Sequence, residues 1–119
     1  MATPNIVNVA TINAKNAMGA LGNTSRTTMI DVPAEKIAKV NTILICNIDG
    51  SNAADVTIEV SNDNGSTYYK LASTIYVPAD ATLSFLENPI YLDETDLLAV
   101  KAGAANDLSS CVSYEEITE

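Results

Sequence analysis

At 119 residues the chain makes one domain, long enough to bury roughly 65% of the surface its unfolded form exposes, so a single core can hold it. Fifteen acidic against six basic residues give a net charge of −9, which argues against nucleic acid as a partner because phosphate recognition needs a basic footprint. With no histidine, a Ser or Cys nucleophile lacks its usual base, and no GxSxG elbow or CxxC pair is present, so no enzymatic role is expected.

The charge is unevenly placed. Residues 1–30 carry Lys15 and Arg26 and no acid (+2), whereas residues 31–119 carry 15 acids and 4 bases (−11). The first segment is rich in Asn, Thr and Ala, and Gly19 and Gly22 break any helix over Asn13 to Leu21. It therefore reads either as an extended N-terminal arm or as a first strand (Ile6, Val7, Val9, Ile12) followed by a long loop. The division expected is an arm over residues 1–30, with or without a first strand, and a sandwich domain over 31–119.

Arg26 to Val32 predicts a strand stopped by Pro33, whose ring fixes φ and removes a ladder donor. Lys39 to Ile48, KVNTILICNI, is almost continuously apolar and rich in β-branched residues, the pattern of a central strand buried on both faces and extended back to Ile37. Asp49-Gly50-Ser51-Asn52 turns the chain into Ala54 to Val60, where Val56, Ile58 and Val60 alternate with polar residues as in a strand with one wet face. Asn62-Asp63-Asn64-Gly65 is a hairpin signal, since Asn-Gly supplies the two positive φ angles of a type I′ turn. The return strand runs from Ser66 to Val77, with a kink near Ala72 and Ser73. Tyr68 and Tyr69 place one ring in the core and one in solvent.

Short strands over 82–86, 89–92, 97–101 and 108–117 complete the pattern, at a spacing of about ten residues. The fold class expected is an all-β antiparallel sandwich, jelly-roll or Ig-like, of about eight strands. Two echoes run through it. Val32-Pro33-Ala34-Glu35 matches Val77-Pro78-Ala79-Asp80, and Gly50 to Val56 matches Gly103 to Leu108.

Site chemistry is sparse. Asp93, Glu94 and Asp96, or Glu115 and Glu116, could serve as a carboxylate pair, but the chain offers no aromatic platform for a sugar, so they read as a solvated turn and a strand end. Asn62 to Gly65 and Asp93 to Asp96 lack the spaced ligands of a calcium loop. Cys46 and Cys111 read as small buried hydrophobes whose disulfide is open only if their strands are neighbours, and two cysteines without histidine cannot complete a zinc site. No catalytic residue, cofactor, metal or small-molecule substrate is expected. No apolar run of 18 residues and no signal-peptide pattern is present, so the expectation is a soluble protein away from membranes.

The succession VPAEKIAKVNTILICNIDGSNAADVTIEV, then YVPADATLSFLENPIYLDETDLLAVKAGAANDLSSCVSYEEI, resembles a family of small structural proteins of tailed bacteriophages. Those similar to marine cyanophage virion proteins share an opening like IVNVATINAKNAMGALGNTS as well. In that family a VPAGK-like turn leads into a strand ending in CN, and Glu35 here replaces the turn glycine. The resemblance implies a compact sandwich displayed many times on a virion assembled in the host cytoplasm. Its role would be that of a capsid decoration or cement protein, or a neck or tail component, with the major capsid protein, other virion proteins or further copies of itself as partners. On that reading Val7, Val9 and Ile12 anchor the arm, with Lys15 and Arg26 as its basic contacts. The competing expectation is a carbohydrate- or receptor-binding module using the loops around Asn62 to Gly65 and Asp93 to Asp96.

Overall fold

The computed structural model describes residues 9–118, which form nine strands in two antiparallel sheets. In chain order these are β1 (Thr11–Leu21), β2 (Thr27–Asp31), β3 (Lys36–Asn47), β4 (Ala54–Ser61), β5 (Tyr69–Val77), β6 (Thr82–Ser84), β7 (Ile90–Leu92), β8 (Leu97–Ala102) and β9 (Leu108–Thr118). One sheet has the order β1-β9-β3-β6, with β7 following β6 along the same edge of β3, and the other has the order β2-β8-β4-β5. If β6 and β7 count as one broken strand, eight positions pair in a nested way: β1 with β9, β2 with β8, β3 with β6 and β7, β4 with β5. Nested pairing across two sheets is the jelly roll, which decides between the two sandwiches that the sequence leaves open.

The N-terminal segment contributes β1, which pairs with β9 from Thr11 to Leu21, and β2, which pairs with β8. Gly19 disfavours helix, and the short side chains of Ala14, Ala17 and Ala20 suit an edge strand with little to bury; only Leu21 of β1 is fully enclosed. Lys15 reaches inward to Glu116 at 3.1 Å, and Lys36 approaches the same carboxylate at 3.6 Å, so this buried acid is paired twice.

The core lies between the sheets. Val40, Ile43 and Ile45 of β3 and Leu108 and Val112 of β9 meet Val56 and Ile58 of β4 and Leu98 and Val100 of β8, all fully buried. Each such side chain contributes about 1.5–3 kcal/mol relative to exposure. β3 differs from its sequence-based reading in one respect. It is interior to its sheet, but only one of its faces is enclosed; Leu44 and Cys46 on the other face remain half-exposed. A bulge between Val40 and Thr42 shifts the alternation, so Val40 and Ile43 both point into the core although three positions apart. The unbroken apolar look of the segment comes instead from Leu44 and Cys46, apolar residues on the outer face that alternate with the buried Ile43 and Ile45.

Turn chemistry repeats. Glu35 and Asp80, the last residues of the two Val-Pro-Ala turns, adopt φ of 66° and 58°, and Thr95 and Asn106 adopt 66° in the turns before β8 and β9. Asn64 and Gly65 carry φ of 59° and 92°, the pair of positive angles expected of Asn-Gly, inside a loop longer than a tight hairpin because β5 begins only at Tyr69. The second echo also has a structural meaning: the 103–107 connection touches the 48–53 connection through Ile48 N–H donating to the Asp107 carbonyl, and the start of β4 through Gly103 N–H donating to the Asp55 carbonyl, both at 2.8 Å.

Asn47 closes the end of β3. Its Nδ2 donates to the carbonyls of Asn52 and Val77, and its Oδ1 accepts from Asp49 N–H, all at 2.9 Å and with the side chain 1% exposed. Asn47→Ala should therefore lower stability by about 2–3 kcal/mol in chemical denaturation, since it orphans the buried Val77 carbonyl together with the Asn52 carbonyl and the Asp49 N–H. Glu35→Gly should act oppositely. It keeps the N–H that donates to Glu94 Oε2 and relieves a left-handed side chain, for a gain of about 1 kcal/mol in the same assay.

Candidate assembly surface

Among the described residues the strand order leaves β5 at the edge of its sheet, with β4 on one side and no strand on the other. Edge strands expose unpaired backbone groups and are usually short or charged. β5 is neither. Tyr69, Leu71, Ile75 and Tyr76 are 61%, 46%, 42% and 70% exposed. For Tyr69 and Ile75 the register explains the exposure, whereas Tyr76 pairs with Asp55 and faces outward. Tyr69 pairs with Val60, Ala72 with Ile58, Ile75 with Val56 and Val77 with Ala54, so these β5 residues share the face that makes the core, yet only Val77 is fully enclosed by the opposite sheet.

β5 is also kinked. The register skips between Val56 and Ile58, leaving Ser73 and Thr74 to face Thr57, and Thr74 N–H donates to Thr57 Oγ1 at 3.1 Å with φ of 46°. This is the kink expected near Ala72 and Ser73. Facing β5 across the open side of the sandwich is β7, and a groove of about 310 Å³ runs between them, lined by Tyr69, Leu71, Ile90, Tyr91 and Asp96 among others. Tyr91 is 55% exposed. Burial pushes the Asp96 carboxyl up from its ordinary value, partly offset by its acceptance of Asp93 N–H.

The far side of the molecule is covered differently. Tyr68 does not enter the core; it lies half-buried under the Arg26 guanidinium, 3.8 Å from the ring centroid, while Arg26 Nε binds the buried Glu59 at 2.6 Å. Two same-sheet tyrosines were expected to split between core and solvent, but the bulges of β5 and the long β4–β5 loop carry Tyr68 onto the outer surface instead. The hydrogen bond to Glu59 raises the Arg26 pKa, so the guanidinium stays charged.

Of the residues singled out as anchors, Val7 lies outside the described residues, and Val9 is half-buried just before β1. Ile12 is 56% exposed on the outer face of β1, opposite Ile117 of β9. Lys15 and Arg26 are both held in ion pairs on other faces, so the described members of the set do not form one patch. The exposed apolar strand β5 was missed as a surface because its alternation resembles that of any half-buried strand; its Tyr and Leu content was visible, its edge position was not.

The two loops proposed for recognition do come together. Ser61 pairs with Leu97, so the β4–β5 loop and the Asp93–Asp96 turn sit at the same end. Their acids act as local caps. Asp63 accepts from Thr67 N–H and Ser61 O–H at 2.8 Å, Glu94 accepts from Glu35 N–H at 2.7 Å, and Asp96 accepts from Asp93 N–H at 2.9 Å. Among the described residues no group of three or more His, Cys, Asp or Glu side chains is arranged to hold a metal ion.

No protein-family model matches the chain, and no curated protein does. Among solved structures it is similar to Bacillus endospore appendages, which form a family of disulfide-linked pili, with a TM-score of 0.56, 14% identity, and coverage of 91% of this chain and 87% of that one. It is also similar to a pentameric capsid protein isolated from metagenomic phage sequences (TM-score 0.44, 18% identity, 89% and 61% covered). A third is the infectious bursal disease virus Gt strain (TM-score 0.41, 10% identity, 93% and 32% covered). At these identities the pilus subunit shares the fold with this chain, and the other two superpose too loosely to argue from.

Backbone N–H groups hold Asp63 (from Thr67) and Asp49 (from Ser51) below the usual carboxylate range. A depressed folded-state value stabilises at neutral pH and is lost as pH falls through it. Asp63→Asn should therefore be less stable than the parent near neutrality, and the gap should close in strong acid, as read from denaturation midpoints across the acid range. Asp96, raised by burial, has the opposite sign: Asp96→Asn should be neutral or stabilising at neutral pH, with any advantage shrinking on acidification.

Proposed function

We propose that the chain is a structural subunit of a virion, and specifically a capsid decoration or cement protein that coats the shell in many copies. The observation that carries this reading is the uncovered apolar strand β5 beside the Tyr91 groove, on a small acidic jelly roll. A lone soluble domain has no use for a nine-residue edge strand with four large exposed hydrophobic side chains. A repeating partner surface does. The jelly roll is a common architecture of viral shells, although lectins and cupins also use it, so the fold supports the reading without selecting it. The resemblance to tailed-phage structural proteins over nearly the whole chain supports it further.

On this reading the apolar edge lies on the major capsid protein or a neighbouring copy, and the net charge of −9 steers the subunit toward basic patches on the shell. Val7, Val9 and Ile12 supply a second contact from the N-terminus, at the β1 edge opposite β5, while Lys15 and Arg26 are held in ion pairs that fix the strand and connection beside it. The role is one of binding and reinforcement in the particle, with no catalysis assigned. A second reading, a receptor- or carbohydrate-binding module of neck or tail, is favoured by one observation: the Asn62–Gly65 and Asp93–Asp96 loops share an end of the sandwich.

The deciding experiment is the copy number of the chain in purified virions by quantitative mass spectrometry. Copies comparable to the major capsid protein fit decoration, a few dozen or fewer fit neck or tail, and absence rejects the virion reading. In a binding assay on stripped capsids, Tyr76→Ala should weaken attachment by about 2 kcal/mol, roughly 30-fold, with the melting temperature little changed.

A further inference from the structure

The outer face of the β1-β9-β3 sheet gathers three sulfur atoms. Met18 of β1 stands opposite Cys111 of β9, and Cys111 stands opposite Leu44 of β3, two residues from Cys46. Directly paired residues project to the same side of a sheet, as do residues two apart on one strand, so Met18, Cys111, Leu44 and Cys46 share a face. All four line one depression of about 370 Å³, together with Thr82 and Ser109. Both cysteines are free and half-exposed, and Met18 is 69% exposed.

The spacing selects the chemistry. Diagonal neighbours on adjacent antiparallel strands have Cα atoms about 7–8 Å apart. A disulfide prefers Cβ atoms about 3.5–4.5 Å apart, so Cys46 and Cys111 are set too wide for one. An ion bonded to two thiolates at about 2.3 Å each holds the sulfurs up to about 4.6 Å apart, more than twice an S–S bond of about 2.05 Å, and spans the diagonal. Zinc calls for four ligands, which this face does not offer. Thiolate with thioether is instead the donor set that selects Cu(I). We propose that Cys46 and Cys111, with Met18 as a weak third ligand, form a surface site for a soft monovalent metal ion of the Cu(I) class. Binding forms two S–Cu bonds and releases the two thiol protons to solvent, with no change of oxidation state.

The test is an anaerobic titration of the reduced full-length chain with Cu(I) against a chromophoric competitor. The expected result is one ion per chain, with an X-ray absorption spectrum showing sulfur ligands only. Cys46→Ala or Cys111→Ala should each weaken binding by more than about 100-fold, beyond the 10–100-fold loss typical of an outer-shell partner. Met18→Leu should weaken it less. Thermal melts establish that each variant is folded, and the serine variant replaces any alanine variant that is not. Two ions per chain, one ion shared between two chains, unchanged affinity in either cysteine variant, or closure of a Cys46–Cys111 disulfide within one chain on mild oxidation would each overturn the assignment.

Discussion

The antiparallel ladder between β3 and β9 is the constraint on which the rest of the molecule depends. It joins residues 36–47 to residues 108–118, so its formation closes a loop of some sixty residues. β1 then adds to the free side of β9, and β6 and β7 to the free side of β3. The inner face of this ladder supplies Val40, Ile43, Ile45, Leu108 and Val112, against which the second sheet packs. A core assembled from such non-local pairings implies slow folding, because loop-closure entropy opposes each step until the sheets meet.

Around that ladder the connections are fixed by polar chemistry more than by apolar packing. Asn47 ties the end of β3 to the 48–53 loop and to the end of β5, and the left-handed residues Glu35, Asp80, Thr95 and Asn106 turn the chain where no glycine stands. Side chains with positive φ carry local strain, and here the neighbouring hydrogen bonds hold them in place. Glu35 N–H, for example, is capped by the Glu94 carboxylate from a turn distant in sequence. The same logic accounts for the acidic loops: Asp63, Glu94 and Asp96 are used as acceptors for nearby N–H groups, which explains their clustering without a ligand.

The surface divides into regions with distinct physical character. Beside Arg26, Glu59 and Tyr68 a buried acid is neutralised and its cation stacked on a ring, so this side is internally satisfied. At the β5 and β7 edges, inward-facing apolar residues run past the cover of the opposite sheet and remain open. On the β1-β9-β3 face, sulfur and aliphatic side chains form a shallow apolar depression. The first region is complete in one chain; the other two offer surfaces that a partner or an ion would complete.

Much of the fold was legible in residue pattern. The strand runs, the Asn-Gly turn, the prolines that end strands and the kink in β5 are local properties, governed by φ preference and side-chain alternation within a few residues. The sequence by itself determined an all-β sandwich with a mainly aliphatic core. What only the tertiary structure decided was pairing: the choice of jelly roll over an Ig-like sandwich, the one-sided burial of β3, and the joining of Thr11–Leu21 to β9. It likewise decided which strand lies at an edge, so the exposed tyrosines of β5 and the diagonal of Cys46 and Cys111 could not be read from spacing. The physical reason is that alternation records which residues of a strand seek cover, whereas the neighbour that covers them comes from a distant part of the chain.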